Sequence, residues 1–258
     1  MAGREKRAIP MWLLWRQDLA SLTYLLLGIV SLMGLVPSEG LAQHAAVEAH
    51  RYVEENGTTR QEVQWCLTRT NDSGSQLVYH TSQQTHLTRT DAALHTQAWS
   101  MRDHREETDI EVVRQGNNLV AQGRWRGAVI LKQIELDDSP WFQATSLSLR
   151  PFILSGQAAV SFWTLRPDSL KAYKITATRQ GVESLSVPSG QTSAVRVELR
   201  LGGLLAPFWR GRYWFRASDG LFLRFEGSGD ASGRFPVTVV YAGPSDTGCM
   251  KTGKPVTP

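Results

Sequence analysis

The stretch from Phe208 to Glu226 constrains the fold of this chain more than any other. One face of its first run carries Trp209, Gly211, Tyr213 and Phe215, and the other carries Arg210, Arg212, Trp214 and Arg216. Side chains alternate across a strand with a period of two, so this reads as a strand with one apolar and one basic face. The second run sets Leu221, Leu223 and Phe225 against Phe222, Arg224 and Glu226. Two turns compete to join them. A two-residue Asp219-Gly220 loop places Phe215 opposite Arg224 and Arg216 opposite Leu223, which mixes the faces. A three-residue Ser218-Asp219-Gly220 loop pairs Phe215 with Leu223, Tyr213 with Phe225, Trp214 with Arg224 and Arg212 with Glu226. It segregates the faces and gives Gly220 the left-handed bulge position, so it is the expected turn.

Strand patterns dominate elsewhere too. Glu62 to Thr70 alternates, and the turn cluster Asn71-Asp72-Ser73-Gly74 follows it. Gln76 to Thr88 and Ala93 to Met101 continue as polar strands. Ile110 to Val113 and Leu119 to Trp125 flank the hairpin signal Gly116-Asn117-Asn118. Val129 to Leu136, Val160 to Leu165, Ala172 to Thr178, Glu183 to Val187 and Ala194 to Leu201 complete the set, with Pro188-Ser189-Gly190 as a turn. One helix is expected from Pro140 to Leu149. Ser139 suits the cap and Pro140 the first helical position, and Arg150 before Pro151 is biased away from helical angles.

The first forty-odd residues speak of destination rather than fold. Arg4, Lys6, Arg7 and Arg16 precede an apolar run from Leu19 to Val36, Pro37 breaks it, and Gly40-Leu41-Ala42 offers small residues for cleavage. This is the layout of a secretory signal peptide over residues 1–42. An uncleaved anchor is the alternative, since the run is near the lower length for a spanning helix. The chain then divides into a lead-in at 43–59, one β domain at 60–242 and a flexible tail at 243–258. Translation from Met11 instead of Met1 leaves Arg16 as the only cation before the run. The expected location is the periplasm, or the inner membrane facing it if the segment stays.

Removing that segment takes away four cations and three anions, so the formal net charge falls from +4 to +3. So small an excess, spread along the chain, does not specify nucleic acid. Arg124-Trp125-Arg126 and Trp209-Arg210-Gly211-Arg212 are explained by strand alternation with cation–π cover. The two cysteines, Cys66 and Cys249, both lie beyond the leader, and an oxidising compartment permits a bridge between them. Two free thiols are the alternative.

No catalytic motif stands out. All six histidines (His44, His50, His80, His86, His95, His104) fall in the first half of the exported part. On an unbroken strand His80 and His86 face the same side about 20 Å apart, too far for one ion. A metal site is not expected, and no cofactor is. The pair Asp137-Asp138 sits beside the predicted helix start, where negative charge favours the helix dipole. Asp103-His104-Arg105-Glu106-Glu107 holds acid–base types but reads as a solvated loop. Gly227 to Gly233 lacks the spacing of a phosphate loop, and a strand rather than a helix follows it.

Several segments occur in a recognisable order: Ser139-Pro140-Trp141-Phe142, Arg150-Pro151-Phe152-Ile153-Leu154-Ser155-Gly156, Val160-Ser161-Phe162-Trp163, Gly181-Val182-Glu183-Ser184-Leu185, Pro188-Ser189-Gly190, Val195-Arg196-Val197, and Arg212-Tyr213-Trp214-Phe215 ahead of Asp219-Gly220-Leu221. The series resembles a family of exported bacterial proteins of unknown function, distantly similar to periplasmic lipoprotein carriers and their sensor cousins. The resemblance covers residues 139–227, and 60–138 as a pattern of strands. It implies a strongly curved antiparallel sheet, an open half-barrel, with one short helix on its concave side. It brings no catalytic residues, and one clear helix departs from a lid of several.

Carriers of that kind hold acyl chains between sheet and helix. The expected lining here is Trp141 and Phe142 from the helix with Trp209, Gly211, Tyr213, Phe215, Leu223 and Phe225 from the sheet. Gly211 leaves room for a helix ring or for a ligand, and a filled core is the default for so many aromatic side chains. The leading expectation is a non-enzymatic exported protein that binds or carries a hydrophobic small molecule or lipid. The alternative is an envelope interaction module with a filled interior and an exposed apolar patch elsewhere. An enzyme on the same scaffold stands third.

Overall fold

Tight turns dictate the topology. Gly57 and Gly116 take φ near +59° in two-residue turns, and Arg126 and Gly127 both have positive φ in a third, as short hairpins of right-handed twist require. The computed structural model describes residues 47–202, 209–228, 236–245 and 249. Its strands are β1 (Val47–Asn56), β2 (Thr59–Arg69), β3 (Ser75–His80), β4 (Gln84–Thr90), β5 (Thr96–Asp103), β6 (Thr108–Gln115), β7 (Asn118–Trp125) and β8 (Ala128–Glu135). The second series is β9 (Ala159–Arg166), β10 (Lys171–Val187), β11 (Gly190–Leu201), β12 (Arg210–Arg216), β13 (Phe222–Ser228) and β14 (Pro236–Pro244). Between the series lie α1 (Thr145–Ser148) and α2 (Arg150–Ser155).

All fourteen strands form one antiparallel sheet in the order β8-β7-β6-β5-β4-β3-β2-β1-β14-β13-β12-β11-β10-β9. Every neighbour is consecutive in sequence except the central pair β1–β14. The two edges, β8 and β9, are therefore also consecutive, and the connection at 136–158 is a strap between them. The sheet curves until these edges approach without pairing. Trp125 Nε1 donates to the Pro167 carbonyl at 3.2 Å and Lys132 Nζ to the Leu170 carbonyl at 2.7 Å. Register shifts at Arg51/Tyr52, Arg89/Thr90, Arg179/Gly181 and Trp214/Phe215 add the local bending that such curvature needs. This is a mainly β, open half-barrel.

Alternation places the core on the concave side. Thr108, Ile110 and Val112 are buried while Asp109 faces water, and Leu119 and Ala121 repeat the pattern next door. Two clusters result. The first joins β1–β3 and β9–β14 to the helices, through Tyr52, Val63, Trp65, Leu147, Leu149, Phe152, Phe162, Val197 and Phe215. The second joins β5–β7 to the strap and the β9–β10 hairpin, through Trp99, Ile110, Leu119, Leu136, Trp141, Leu165 and Leu170.

Several expectations change. The helix expected at Pro140–Leu149 lies further on, at 145–155, interrupted at Leu149. Backbone bonds from Thr96 N to Trp141 O, Phe142 N to Trp163 O and Trp163 N to Pro140 O hold 140–142 extended instead, each at 2.8 Å. Pro151 sits in the first turn of α2, where a missing N–H costs little. The strand read at Gln76–Thr88 is two strands broken after His80, so the separation argued for His80 and His86 along one strand does not apply. Conversely, the runs Ala172–Thr178 and Glu183–Val187 form the single bulged strand β10. The stretch taken as a lead-in contains β1, which pairs on both sides at the centre of the sheet.

In the β12–β13 hairpin, Arg212–Glu226, Tyr213–Phe225 and Trp214–Arg224 pair as expected, but Phe215 faces Phe222 and leaves Leu223 as the extra residue of a bulge. Gly220 has the positive φ, +70°, but Arg216 bonds to both Gly220 and Leu221, at 2.9 and 2.8 Å, so the turn closes one residue earlier than the expected Ser218-Asp219-Gly220 loop. Cys66 on β2 is joined to Cys249 by a disulfide with a Cα–Cα distance of 5.5 Å. The segment expected to be a leader (1–42), Phe208, most of the 227–233 glycine loop and most of the tail lie outside the described residues. Among the described residues no helix is long and apolar enough to cross a membrane.

Candidate functional site

The strap makes the site, so its anchors come first. Gln143 takes the place of a ladder partner for β9: its amide Nε2 donates to the Leu165 carbonyl at 2.9 Å and its Oε1 accepts from Leu165 N and Trp141 Nε1, both at 3.0 Å. Further along, Arg150 Nη1 reaches Glu48 Oε2 at 2.9 Å and its guanidinium lies 5.2 Å over the Trp65 ring. Glu48 is held below the usual carboxylate range by its hydrogen bond to His50, against the opposing effect of burial, with Arg150 adding to the drop. These contacts fasten α2 to β1 and β2 on the concave side.

The eight side chains expected to line a cleft do not form one group. Trp141 is fully buried and belongs to the second cluster. Phe142, Phe215 and Leu223 are buried inside the first, where Phe142 stacks on Phe162 with ring centroids 4.7 Å apart. Trp209, Tyr213 and Phe225 are only partly buried and pack on the outside of that cluster. The space at Gly211 is taken neither by a helix ring nor left open. A Cβ there meets Phe225 Cε2 at 2.9 Å and the Trp209 ring at 3.2 Å, so these neighbouring rings fold over the glycine.

What remains is a lip of half-buried rings above a closed core. Tyr213 is its hinge with the strap: its Oη lies 2.9 Å from Thr145 Oγ1 on α1, and its ring is 4.7 Å from Phe225. Burial pushes the Tyr213 phenol up. Tyr79 and Val239, which the sequence reading did not single out, lie partly buried on the same cluster. The Tyr79 Oη donates to Glu54 Oε2 at 2.5 Å, and burial followed by that carboxylate's charge pushes the phenol far up. The alternation of β2 and β3 carries the signal for Tyr79, which pairs with Trp65 as Leu77 pairs with Leu67.

His86 ends this row. It sits between Tyr79 (5.5 Å) and Trp99 (5.7 Å), its Nε2 is 3.2 Å from Gln84 Oε1, and Gln84 Nε2 donates to Asp103 at 2.7 Å. Burial pushes the imidazole down to about 4, so it is neutral near pH 7. Its neighbours are rings and an amide rather than a nucleophile, so the arrangement is one of packing and not of proton transfer. Asp103 accepts from the backbone N–H groups of Arg105 and Glu106, which makes the acidic-basic run at 103–107 a turn.

Elsewhere, an open groove of about 330 Å³ is lined by Val182, Glu183, Ser184, Gln191, Thr192 and Ser193 on the β10–β11 hairpin. It involves none of the expected lining. Among the described residues no three His, Cys, Asp or Glu side chains are placed to hold a metal ion. On the convex face, Trp214 donates to Glu183 and lies beneath Arg224, whose guanidinium is 5.6 Å from the ring.

An unclosed curved sheet filled by its own strap defines a β-barrel-like protein. The fold is that of a β-barrel-like protein of Domain of Unknown Function DUF1849 from Brucella abortus, with a TM-score of 0.57 at 8% identity over 79% of this chain and 99% of that one. Weaker likenesses are to the hypothetical lipoprotein YmcC from Escherichia coli K12 (TM-score 0.36, 11% identity, 76% of this chain and 87% of that one) and to MucB (0.33, 12%, 79% and 54%). No family model and no curated protein matches the sequence.

Proposed function

We propose that this is an exported, non-enzymatic binding protein of the periplasm that takes a hydrophobic small molecule or acyl chain at the lip between the strap and the concave sheet. The observation that carries this reading is the set of partly buried rings, Tyr79, Trp209, Tyr213 and Phe225, packed on an otherwise closed core next to α1. Apolar rings with few polar groups among them are what hydrophobic ligands use. The Tyr213–Thr145 contact ties one of these rings to the strap, so a small displacement of α1 widens the space. The sequence motif at 1–42 supports export, and the aromatic lining supports a lipid-like ligand over a charged one.

Native mass spectrometry of the protein purified from a periplasm without detergent tests it. A discrete extra mass that fragments to a lipid, reduced in a Tyr213→Asp variant, is the expected outcome. A bare mass, together with no uptake of an added fatty acid, rejects the reading.

A second reading is an envelope interaction module. It is favoured by one specific observation, the exposure of Val129 (81%) and Leu131 (79%) while the interior is filled.

A further inference from the structure

The two edges of the sheet are finished differently. At β9 the strap supplies partners: Trp163 N donates to Pro140 O, Phe142 N donates to Trp163 O, and Trp141 forms a parallel bridge with Trp163. Among the described residues no strand lies beyond β8, and its one ladder partner there is β7. An open edge presents unpaired N–H and C=O groups and is normally blunted by Pro, a bulge or outward charge. The sequence of β8, Ala-Val-Ile-Leu-Lys-Gln-Ile-Glu, has no Pro, no register shift against β7, and two large aliphatic side chains in water. Its one lysine is turned to the Leu170 carbonyl.

We propose that β8 is a dimerisation edge, pairing antiparallel with β8 of a second copy about a two-fold axis at Leu131. Pairing that keeps each face intact must join residues of equal parity. Centring on Lys132 opposes two like charges. Centring on Ile130 runs the partner strand past the Arg126-Gly127 turn after five pairs on the ladder rules. Centring on Leu131 sets Leu131 against itself, Val129 against Gln133, Ile130 against Lys132 and Ala128 against Ile134, with no like charges opposed.

The ends of this register match in charge. Glu135 of one copy falls opposite Gly127 of the other, whose carbonyl accepts from Arg124 Nη1 at 2.9 Å. Arg124 pairs across the ladder with Val129, which places it on the same face as Glu135. Among the described residues neither Arg124 nor Glu135 forms an ion pair. Two-fold symmetry brings this pair together at both ends, so the edge is complementary to itself rather than to an arbitrary peptide.

Light scattering and sedimentation of the purified full chain test the proposal. Twice the monomer mass is expected for the wild type, and the monomer mass for Leu131→Lys with an unchanged thermal midpoint. Glu135→Lys is expected to weaken association about tenfold, and the swap Arg124→Glu/Glu135→Lys to restore it. Leu131→Cys is expected to cross-link to itself, since directly opposed residues lie within disulfide reach. A wild type that stays monomeric at about 100 μM, the concentration scale of weak complexes, overturns the proposal. So does a dimer that is indifferent to Leu131→Lys and gives no Leu131→Cys cross-link. Neither result depends on whether a lipid is bound.

Discussion

The two hydrophobic clusters of this half-barrel are built in different ways. In the first, helix meets sheet: α1 and α2 cover β1, β2 and the β11–β13 strands, and rings from both sides interdigitate. In the second, sheet meets sheet: Trp99, Ile110, Val112 and Leu119 face Leu165 and Leu170 from the opposite edge, with Trp141 wedged between them. The first cluster is thus closed by local elements of a continuous sheet. The second exists only because the ends of the chain's two strand series have been brought together. A sheet without a closing ladder needs some other device at its seam, and here a single tryptophan with its glutamine bracket serves.

The largest expected effect follows from that difference. Trp141→Ala removes a fully buried ring from the second cluster and the donor to Gln143, and large-to-small changes of this kind cost about 3–5 kcal/mol. The denaturant midpoint should fall accordingly, and exchange protection should be lost first in β5–β8. Equal loss of protection in β1–β2 and β12–β13 contradicts the division into two clusters.

The disulfide acts on the other side of the comparison. Cys66 lies on β2 beside the first cluster and is linked to Cys249 across a separation of 183 residues. A chain-entropy estimate for so long a loop is about 5 kcal/mol, and typical measured values are about 2–4 kcal/mol. The double variant Cys66→Ser/Cys249→Ser should therefore unfold at lower denaturant with its native spectrum intact. An unchanged midpoint means that the bridge restrains nothing in the unfolded chain.

What the sequence reveals divides along similar lines. The β12–β13 hairpin is legible because its alternation and the left-handed Gly220 are local, and three of its four expected pairs are present, although the turn closes at Arg216, one residue earlier than the Ser218-Asp219-Gly220 loop requires. Its bulge is not local. Phe222 stacks on Tyr52 of β1 at 5.2 Å, and that contact across the sheet, invisible in the hairpin itself, draws Phe222 opposite Phe215. The strap shows the same limit. Ser139 and Pro140 are correct signals for a helix start, yet the ladder-like bonds to Thr96 and Trp163 win, because residues 140–142 serve as a makeshift strand against β9. β1 is hard to read from the sequence for a third reason. Its run Val-Glu-Ala-His-Arg-Tyr-Val-Glu-Glu-Asn has few apolar residues, because the polar Glu48 and His50 are used to hold Arg150 of the strap. The lip is half legible: Tyr213, Phe225 and Trp209 belong to it, whereas Tyr79 is marked only by its place opposite Trp65 in the β2–β3 alternation.

Between the clusters stands His86, touching Tyr79 on one side and Trp99 on the other, and it gives the comparison a pH dependence. Its native value is depressed to about 4 from 6.5, so the unfolded chain binds more protons between those limits. Stability is fully present above pH 6.5 and declines as the pH falls towards 4, by about 2 kcal/mol after allowance for partial exposure. His86→Gln should flatten that slope. Asp103, lowered by its bonds to Gln84 and to the backbone of Glu106 and Arg105 in spite of burial, loses its contribution at more acid pH and does not confuse the window. An identical slope in wild type and variant places the titration elsewhere.

The smallest effect sharpens the reading of the lip. At Gly211 an added methyl meets Phe225 and Trp209, both of which are partly exposed, with Trp209 held by its Nε1 on the Ser228 carbonyl at 3.1 Å. Gly211→Ala should therefore cost only about 1–2 kcal/mol, at the low end for overpacking. A displaced Phe225 presses on Tyr213, 4.7 Å away, which touches Thr145 of α1. Tryptophan emission should shift as Trp209 moves, and binding of a fatty-acid probe should weaken without loss of fold. If the variant instead loses several kcal/mol, Phe225 and Trp209 cannot yield, and the lip is as closed as the two clusters beneath it.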